Sequence, residues 1–190
     1  YSHNRKEWYI AYAAANFCNG AGVGVYHTCS PEEVEWVVGN SDSKFVFVGH
    51  NPMDGGDNEK KCSYRLHKIL DKLEKVEKVI VMDGVDMPSH EKIMSWSDFI
   101  SEGKKVKDSS IHDSIKSIKP EDTATLIYTS GTTGNPKGVE LTYDNFEYEI
   151  SKVLEIQSYN QGDGYVSWLP CAHVFGQLVD NHAWIREALH

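Results

Sequence analysis

Residues 123–139 constrain this chain more than any other stretch. Thr123-Ala124-Thr125-Leu126-Ile127 is apolar and β-branched, the composition of a buried strand ending at Tyr128. Beyond Thr129 come Ser130-Gly131-Thr132-Thr133-Gly134-Asn135-Pro136-Lys137-Gly138, with three glycines, three hydroxyls, one proline and one lysine. Glycines let a backbone turn tightly and bring successive N–H groups close to a ligand, and such N–H nests bind anions. Hydroxyls add donors, and lysine adds a mobile charge suited to phosphate. The expectation is a triphosphate-gripping loop at the carboxyl end of a strand. The spacing differs from the common P-loop, which needs Gly, four residues, then Gly-Lys-Ser/Thr. Here Gly134 lies three residues before Lys137, and Gly138-Val139 follow the lysine. A Ser/Thr/Gly-rich surface turn is the plain alternative, disfavoured by the length and unusual order of the string.

The chain around this stretch alternates strand and helix. Asn4 to Cys18 is expected as a helix, with Trp8, Ala11, Ala15 and Cys18 on one face and Asn19-Gly20 as its stop. Val23 to Tyr26 reads as a short buried strand. Ser30-Pro31-Glu32-Glu33 starts a helix, with Ser as N-cap, Pro in the first turn and Glu three residues on, ending near Gly39-Asn40. Lys44 to Gly49 is the next strand, so a βαβ crossover and a parallel sheet are expected. Asn51 to Lys61 reads as a surface loop. Leu66, Ile69, Leu70, Leu73 and Val76 predict an amphipathic helix over Tyr64 to Lys75, its basic residues forming a solvated face. Lys78 to Met82 is a strand, and Ser95 starts a short helix ending at Gly103. Lys104 to Lys119 is polar, and a loop with one helical turn is expected there. Lys137 to Leu141 returns as a strand, and Thr142 caps a helix running to about Gln157. After a turn at Gly162-Asp163-Gly164, Tyr165 to Leu169 reads as a strand stopped by Pro170. Cys171 opens a final helix, still in progress from Ala183 to His190.

Pro170 ends that strand so that the next residues emerge at its carboxyl end, the edge where open parallel sheets bind ligands. His173 should therefore lie near the Gly-rich loop. The chain has 190 residues and a formal net charge of -9, from 19 Lys+Arg against 28 Asp+Glu, which argues against a nucleic-acid partner. No apolar run reaches the ~18 residues of a membrane span, and no signal peptide opens the chain. Cys18, Cys29, Cys62 and Cys171 form no Cys-x-x-Cys pair and are expected as free thiols in a reducing compartment. Tyr1-Ser2 looks like the tail of a strand, so the chain is expected to be cut at both ends.

The string Tyr128 to Val139 resembles the signature of the adenylate-forming superfamily, close to Tyr-Thr-Ser-Gly-Thr-Thr-Gly-x-Pro-Lys-Gly-Val. Leu169-Pro170-Cys171-Ala172-His173 resembles that family's second box, Leu-Pro-x-x-His, and its surroundings look most like long-chain acyl-CoA synthetases, including the bubblegum-type branch. Asn4-Arg5-Lys6-Glu7-Trp8 and the Ser-Pro-Glu-Glu helix also look like the family's N-terminal half, and are read as scaffold. Tyr143 departs from the family's usual His in the Leu141 to Asn145 box.

The resemblance implies an α/β, layered parallel-sheet fold with flanking helices, with residues 1–190 a partial N-terminal AMP-binding domain lacking its C-terminal domain. It implies a long-chain fatty acid–CoA ligase that uses ATP, Mg2+ and coenzyme A. The resemblance places Thr129, Ser130, Gly131, Thr132, Thr133, Gly134 and Lys137 around the triphosphate. His173 would lie over the acyl carboxylate and α-phosphate. The magnesium ligand, ribose aspartate and catalytic lysine of the family have no match here, so the fragment alone is expected to be inactive. The alternatives are an amino-acid or aryl-acid adenylating domain and a non-catalytic nucleotide-binding module. A cytoplasmic location is expected, with peripheral attachment of the full protein to the endoplasmic reticulum or another membrane as the variant.

Overall fold

In the computed structural model, the described residues are 1–51, 54–129, 134–156, 162, 164 and 166–183. Helix α1 (Lys6–Phe17) leads through Asn19, in the left-handed region at φ 55°, to strand β1 (Gly22–Val23). Helix α2 (Pro31–Asn40) begins with the expected reciprocal cap. Glu33 N–H donates to Ser30 Oγ at 3.3 Å, and Ser30 N–H donates to the Glu33 carboxylate at 2.7 Å. Strand β2 (Phe45–Val48), helix α3 (Cys62–His67), strand β3 (Lys78–Val81), strand β4 (Ile93–Ser95) and helix α4 (Trp96–Gly103) follow. Helix α5 (Asp108–Ser117) then leads to a hairpin of β5 (Thr123–Thr129) and β6 (Lys137–Thr142), and on to helix α6 (Tyr143–Ile156).

The strands form two three-stranded sheets. In one, β1 pairs parallel with β5, and β5 pairs antiparallel with β6; in the other, β2, β3 and β4 are all parallel. This corrects the expectation that the strands flanking α2 share one sheet. Buried Thr125 donates its Oγ1–H to Gly22 O at 2.7 Å, tying the two-residue β1 to β5. The edge of β2 away from β3 is taken by Tyr1, whose amino group donates to Phe47 O while its carbonyl accepts from Gly49 N–H. An apolar cavity of about 460 Å³ lies among α1, β1 and β2. Of the expected Val23–Tyr26 strand only Val23 reaches the ladder, where Gly22 joins it, and the next residue, Gly24, packs against Ala172.

The main core lies between the parallel sheet and helices α2 and α3. Val34, Val48, Leu66, Leu70 and Val79 are fully buried there. The expected Tyr64–Lys75 helix is broken: α3 stops at His67, and a 3₁₀ turn spans Leu70–Lys72. Leu66, Ile69, Leu70, Leu73 and Val76 are nevertheless all buried. The tighter i→i+3 bonding keeps that face inward while the chain bends toward β3. A full helix replaces the loop expected at 104–119. Its polar sequence lacks a buried stripe, but Asp108 in the first turn and Lys116 in the last suit the helix dipole. Strand β4 was not expected at all.

Residues 166–168 form no strand. Val166 and Trp168 are 78% and 77% exposed, and no described strand lies beside them. The expected opening of the final helix at Cys171 moves to Val174. Cys171–His173 form a turn, helix α7 (Val174–Gly176) is one short turn, and Gln177–Ala183 widen into a π-helix. Residues 157–161 and 184–190, at the expected helix ends, lie outside the described residues, as do Asp163 and Tyr165. All four cysteines are free. Among the described residues no helix is long and apolar enough to cross a membrane.

Candidate active site

The hairpin register sets the Gly-rich loop. Thr129 faces Lys137 across the ladder and Tyr128 faces Gly138, so residues 130–136 span the tip between directly opposed residues. Ser130, Gly131, Thr132 and Thr133 lie outside the described residues; Thr129, Gly134 and Lys137 are all exposed. Gly134 has φ +87°, a conformation that side chains other than Gly rarely adopt. Lys137 makes no ion pair with a described residue. A lysine ammonium at the stem of a glycine turn suits the charge of a phosphate chain.

Helix α2 anchors this hairpin from below. Trp36 Nε1–H donates to Pro136 O at 2.8 Å, and Tyr128 O–H donates to Asn40 Oδ1 at 2.7 Å. Neither contact was visible in the sequence. Burial raises the Tyr128 phenol above its ordinary pKa, keeping it a neutral donor to Asn40.

His173 reaches the neighbouring strand's end by a separate route. Asn4 Nδ2 donates to Leu169 O at 2.6 Å, and Cys171 N–H donates to Asn4 Oδ1 at 2.8 Å. Cys171 is buried among Trp8, Tyr12 and Met82. Ala172 lies directly on Gly24, where an added Cβ would sit 2.6 Å from Ala172 Cα. Val23 is opposite Leu126 in the parallel pair, so Gly24 is level with Ile127, two residues before Thr129. Ala172, next to His173, therefore packs at the edge of the β1–β5 pair from which the loop leaves. His173 N–H donates to Pro170 O at 2.8 Å, and its Nδ1 accepts from Phe175 N–H at 3.1 Å. With Nδ1 accepting, the neutral ring carries its proton on Nε2, on an exposed side chain.

A buried aspartate and a half-buried histidine follow in the π-helix. Asp180 accepts from Ser167, which also bonds Tyr9 O–H at 3.0 Å, and burial pushes its carboxyl up to about 6. His182 stacks on Phe146 at 4.1 Å and bonds Tyr12 O–H at 3.0 Å, and burial holds its pKa down to about 4. The two act on stability with opposite sign. Asp180 stabilises below its ordinary 3.8 and loses that contribution as pH rises through about 6. His182 stabilises above its ordinary 6.5 and loses that contribution as pH falls through about 4. Between these limits the two contributions oppose each other. Relative to wild type, Asp180→Asn should make the urea midpoint rise more steeply with pH, and His182→Gln should make it rise less steeply or fall; two variants that both track wild type would refute the pair of assignments.

The AMP-binding enzyme family model matches residues 1–188, so the chain belongs to that family. It is 32% identical over 181 residues to the long-chain-fatty-acid–CoA ligase ACSBG2 of Gallus gallus, covering 93% of this chain and 23% of that protein. It is 30% identical over 182 residues to the peroxisomal long chain acyl-CoA synthetase 7 of Arabidopsis thaliana, covering 92% of this chain and 24% of that protein. The chain thus spans about a quarter of the length of these relatives. Among solved structures, a red-emitting luciferase from Phrixothrix hirtus superposes with a TM-score of 0.73 at 19% identity, covering 99% of this chain and 34% of that one. A putative long-chain-fatty-acid CoA ligase from Rhodopseudomonas palustris superposes at 0.68 and 16% identity, covering 94% and 39%. These superpositions establish the α/β fold with parallel strands and flanking helices.

Proposed function

We propose that residues 1–190 are part of the large N-terminal, AMP-binding domain of an ATP-dependent long-chain fatty acid–CoA ligase. The carrying observation is the shared edge: Ala172, beside His173, packs on Gly24 just past β1, at the same end of the β1–β5 pair from which Thr129 leads into the Gly-rich loop. The names of the relatives, long-chain fatty acid ligases at about 30% identity, support the substrate class.

In this reading the fatty-acid carboxylate oxygen attacks the α-phosphorus of ATP, and the bond to the β-phosphate oxygen breaks, giving acyl-adenylate and pyrophosphate. The coenzyme A sulfur then attacks the acyl carbon, and AMP leaves. Thr129, Ser130, Gly131, Thr132, Thr133, Gly134 and Lys137 hold the departing pyrophosphate as charge builds on it, an electrostatic role. His173 offers Nε2–H to the carboxylate or the α-phosphate and orients the acid. Magnesium accompanies the ATP. Among the described residues no group of three or more His, Cys, Asp or Glu forms a cation site, so no residue here is assigned to it. A cytoplasmic protein, peripheral on a membrane into which fatty acids partition, fits the same reading.

The test is ATP–pyrophosphate exchange by the intact protein across carboxylic acids. Long-chain fatty acids should drive exchange. Exchange driven instead by amino or aryl acids would move the protein to another adenylating class, and no exchange with any acid would make it a non-catalytic nucleotide-binding module.

A further inference from the structure

We infer that Asn4 is a positioning residue for His173, with its single carboxamide clamping the backbone on both sides of Pro170. This rests on the proposed role of His173. Asn4 lies more than 160 residues away in sequence, yet its Nδ2 donates to Leu169 O at 2.6 Å and its Oδ1 accepts from Cys171 N–H at 2.8 Å. One planar group with a donor and an acceptor thus satisfies two backbone atoms that no described ladder or helix serves. Pro170 between them has no N–H of its own to contribute, so Asn4 supplies the bonds on either side of it.

Asn4 is itself held. Arg5 beside it donates to Asp83 O at 2.6 Å and to the buried Glu7 carboxylate at 2.8 Å, and Arg5 keeps that carboxyl below its usual range. The start of α1 is therefore tied to the loop after β3 before Asn4 reaches across. The corner it fixes runs on through the Pro170–His173 turn to the ring, whose Nδ1 is taken by Phe175 N–H. With the turn and the tautomer set, the clamp decides where Nε2 lies. Only Asn meets the need at this length. Aspartate keeps the acceptor for Cys171 but presents a second oxygen to the Leu169 carbonyl, and alanine offers neither contact.

The experiment is a double-mutant cycle in the intact protein, read by pyrophosphate exchange. Asn4→Ala should lower kcat/KM for the fatty acid by about tenfold or more, as a small misplacement of a positioned group does. The KM for ATP should stay within about twofold. Added to His173→Ala, Asn4→Ala should cost nothing further, and hydrogen exchange at the Cys171 amide should speed up. An additive loss in the His173→Ala background, or unchanged protection of the Cys171 amide, would overturn the inference. If Asn4→Ala does not fold, Asn4→Asp is read in the same cycle. It should regain activity as pH falls, because the protonated carboxyl restores the donor to Leu169; no recovery would count against the clamp. If the wild-type protein exchanges with no acid, the ligase reading fails, and the Cys171 amide alone then decides whether the clamp exists.

Discussion

Lys137→Ala in the intact protein is expected to slow acyl-adenylate formation about a hundredfold while leaving the fold unchanged. The size follows from removing one charged donor to the group that gains negative charge in the transition state, worth roughly 3 kcal/mol. The neutrality toward folding follows from position. Lys137 is exposed, pairs with no described acidic group, and sits at the first residue of β6, where its backbone rather than its side chain meets Thr129. Exposed substitutions of this kind usually change stability by less than about 0.5 kcal/mol. The two measurements are pyrophosphate exchange and the urea midpoint. Exchange at the wild-type rate would remove Lys137 from the triphosphate site, whereas a large fall in the midpoint would show that the side chain serves the hairpin instead.

The strand that carries the Gly-rich string was legible because its signal is local: β-branched residues from Thr123 to Ile127 mark a buried strand, and β5 is found there. The α2 start was legible for the same reason, since Ser30 and Glu33 cap each other within one turn. What could not be read depends on partners distant in sequence. Trp36 looks like any aromatic on a half-buried helix until Pro136, 100 residues on, presents its carbonyl. Asn4 looks like scaffold until Leu169 and Cys171 arrive. The apolar spacing of Leu66, Ile69, Leu70, Leu73 and Val76 correctly marks the buried face of α3 and its extension, but periodicity does not distinguish an α-helix from one tightened into a 3₁₀ turn. Strand pairing failed for a similar reason. A βαβ spacing allows β1 and β2 to be neighbours, yet the Thr125–Gly22 bond and the Tyr1–β2 bonds decide otherwise. Val166 and Trp168 carry strand-like residues with no described strand beside them.

Gly24→Ala is expected to damage both the fold and the site, and Gly39→Ala supplies its contrast. A Cβ on Gly24 would stand 2.6 Å from Ala172 Cα and 3.2 Å from Ala172 O. These are main-chain atoms, unable to swing aside as a flexible side chain would. The corner behind them is fixed by Asn4 and by buried Cys171, so the strain must move either β1 or the His173 segment. Overpacking of this kind costs about 1–3 kcal/mol. It should also displace His173 enough to slow fatty-acid activation by roughly a hundredfold. At Gly39, inside α2, an added Cβ meets nothing within 4 Å, so alanine there should stabilise by about 0.5–1 kcal/mol through its better helix propensity. Urea midpoints for the two variants should therefore move in opposite directions, with only Gly24→Ala losing pyrophosphate exchange. A Gly24→Ala protein as stable and as active as wild type would mean that Ala172 does not rest on β1, and the shared edge of loop and histidine would fall with it.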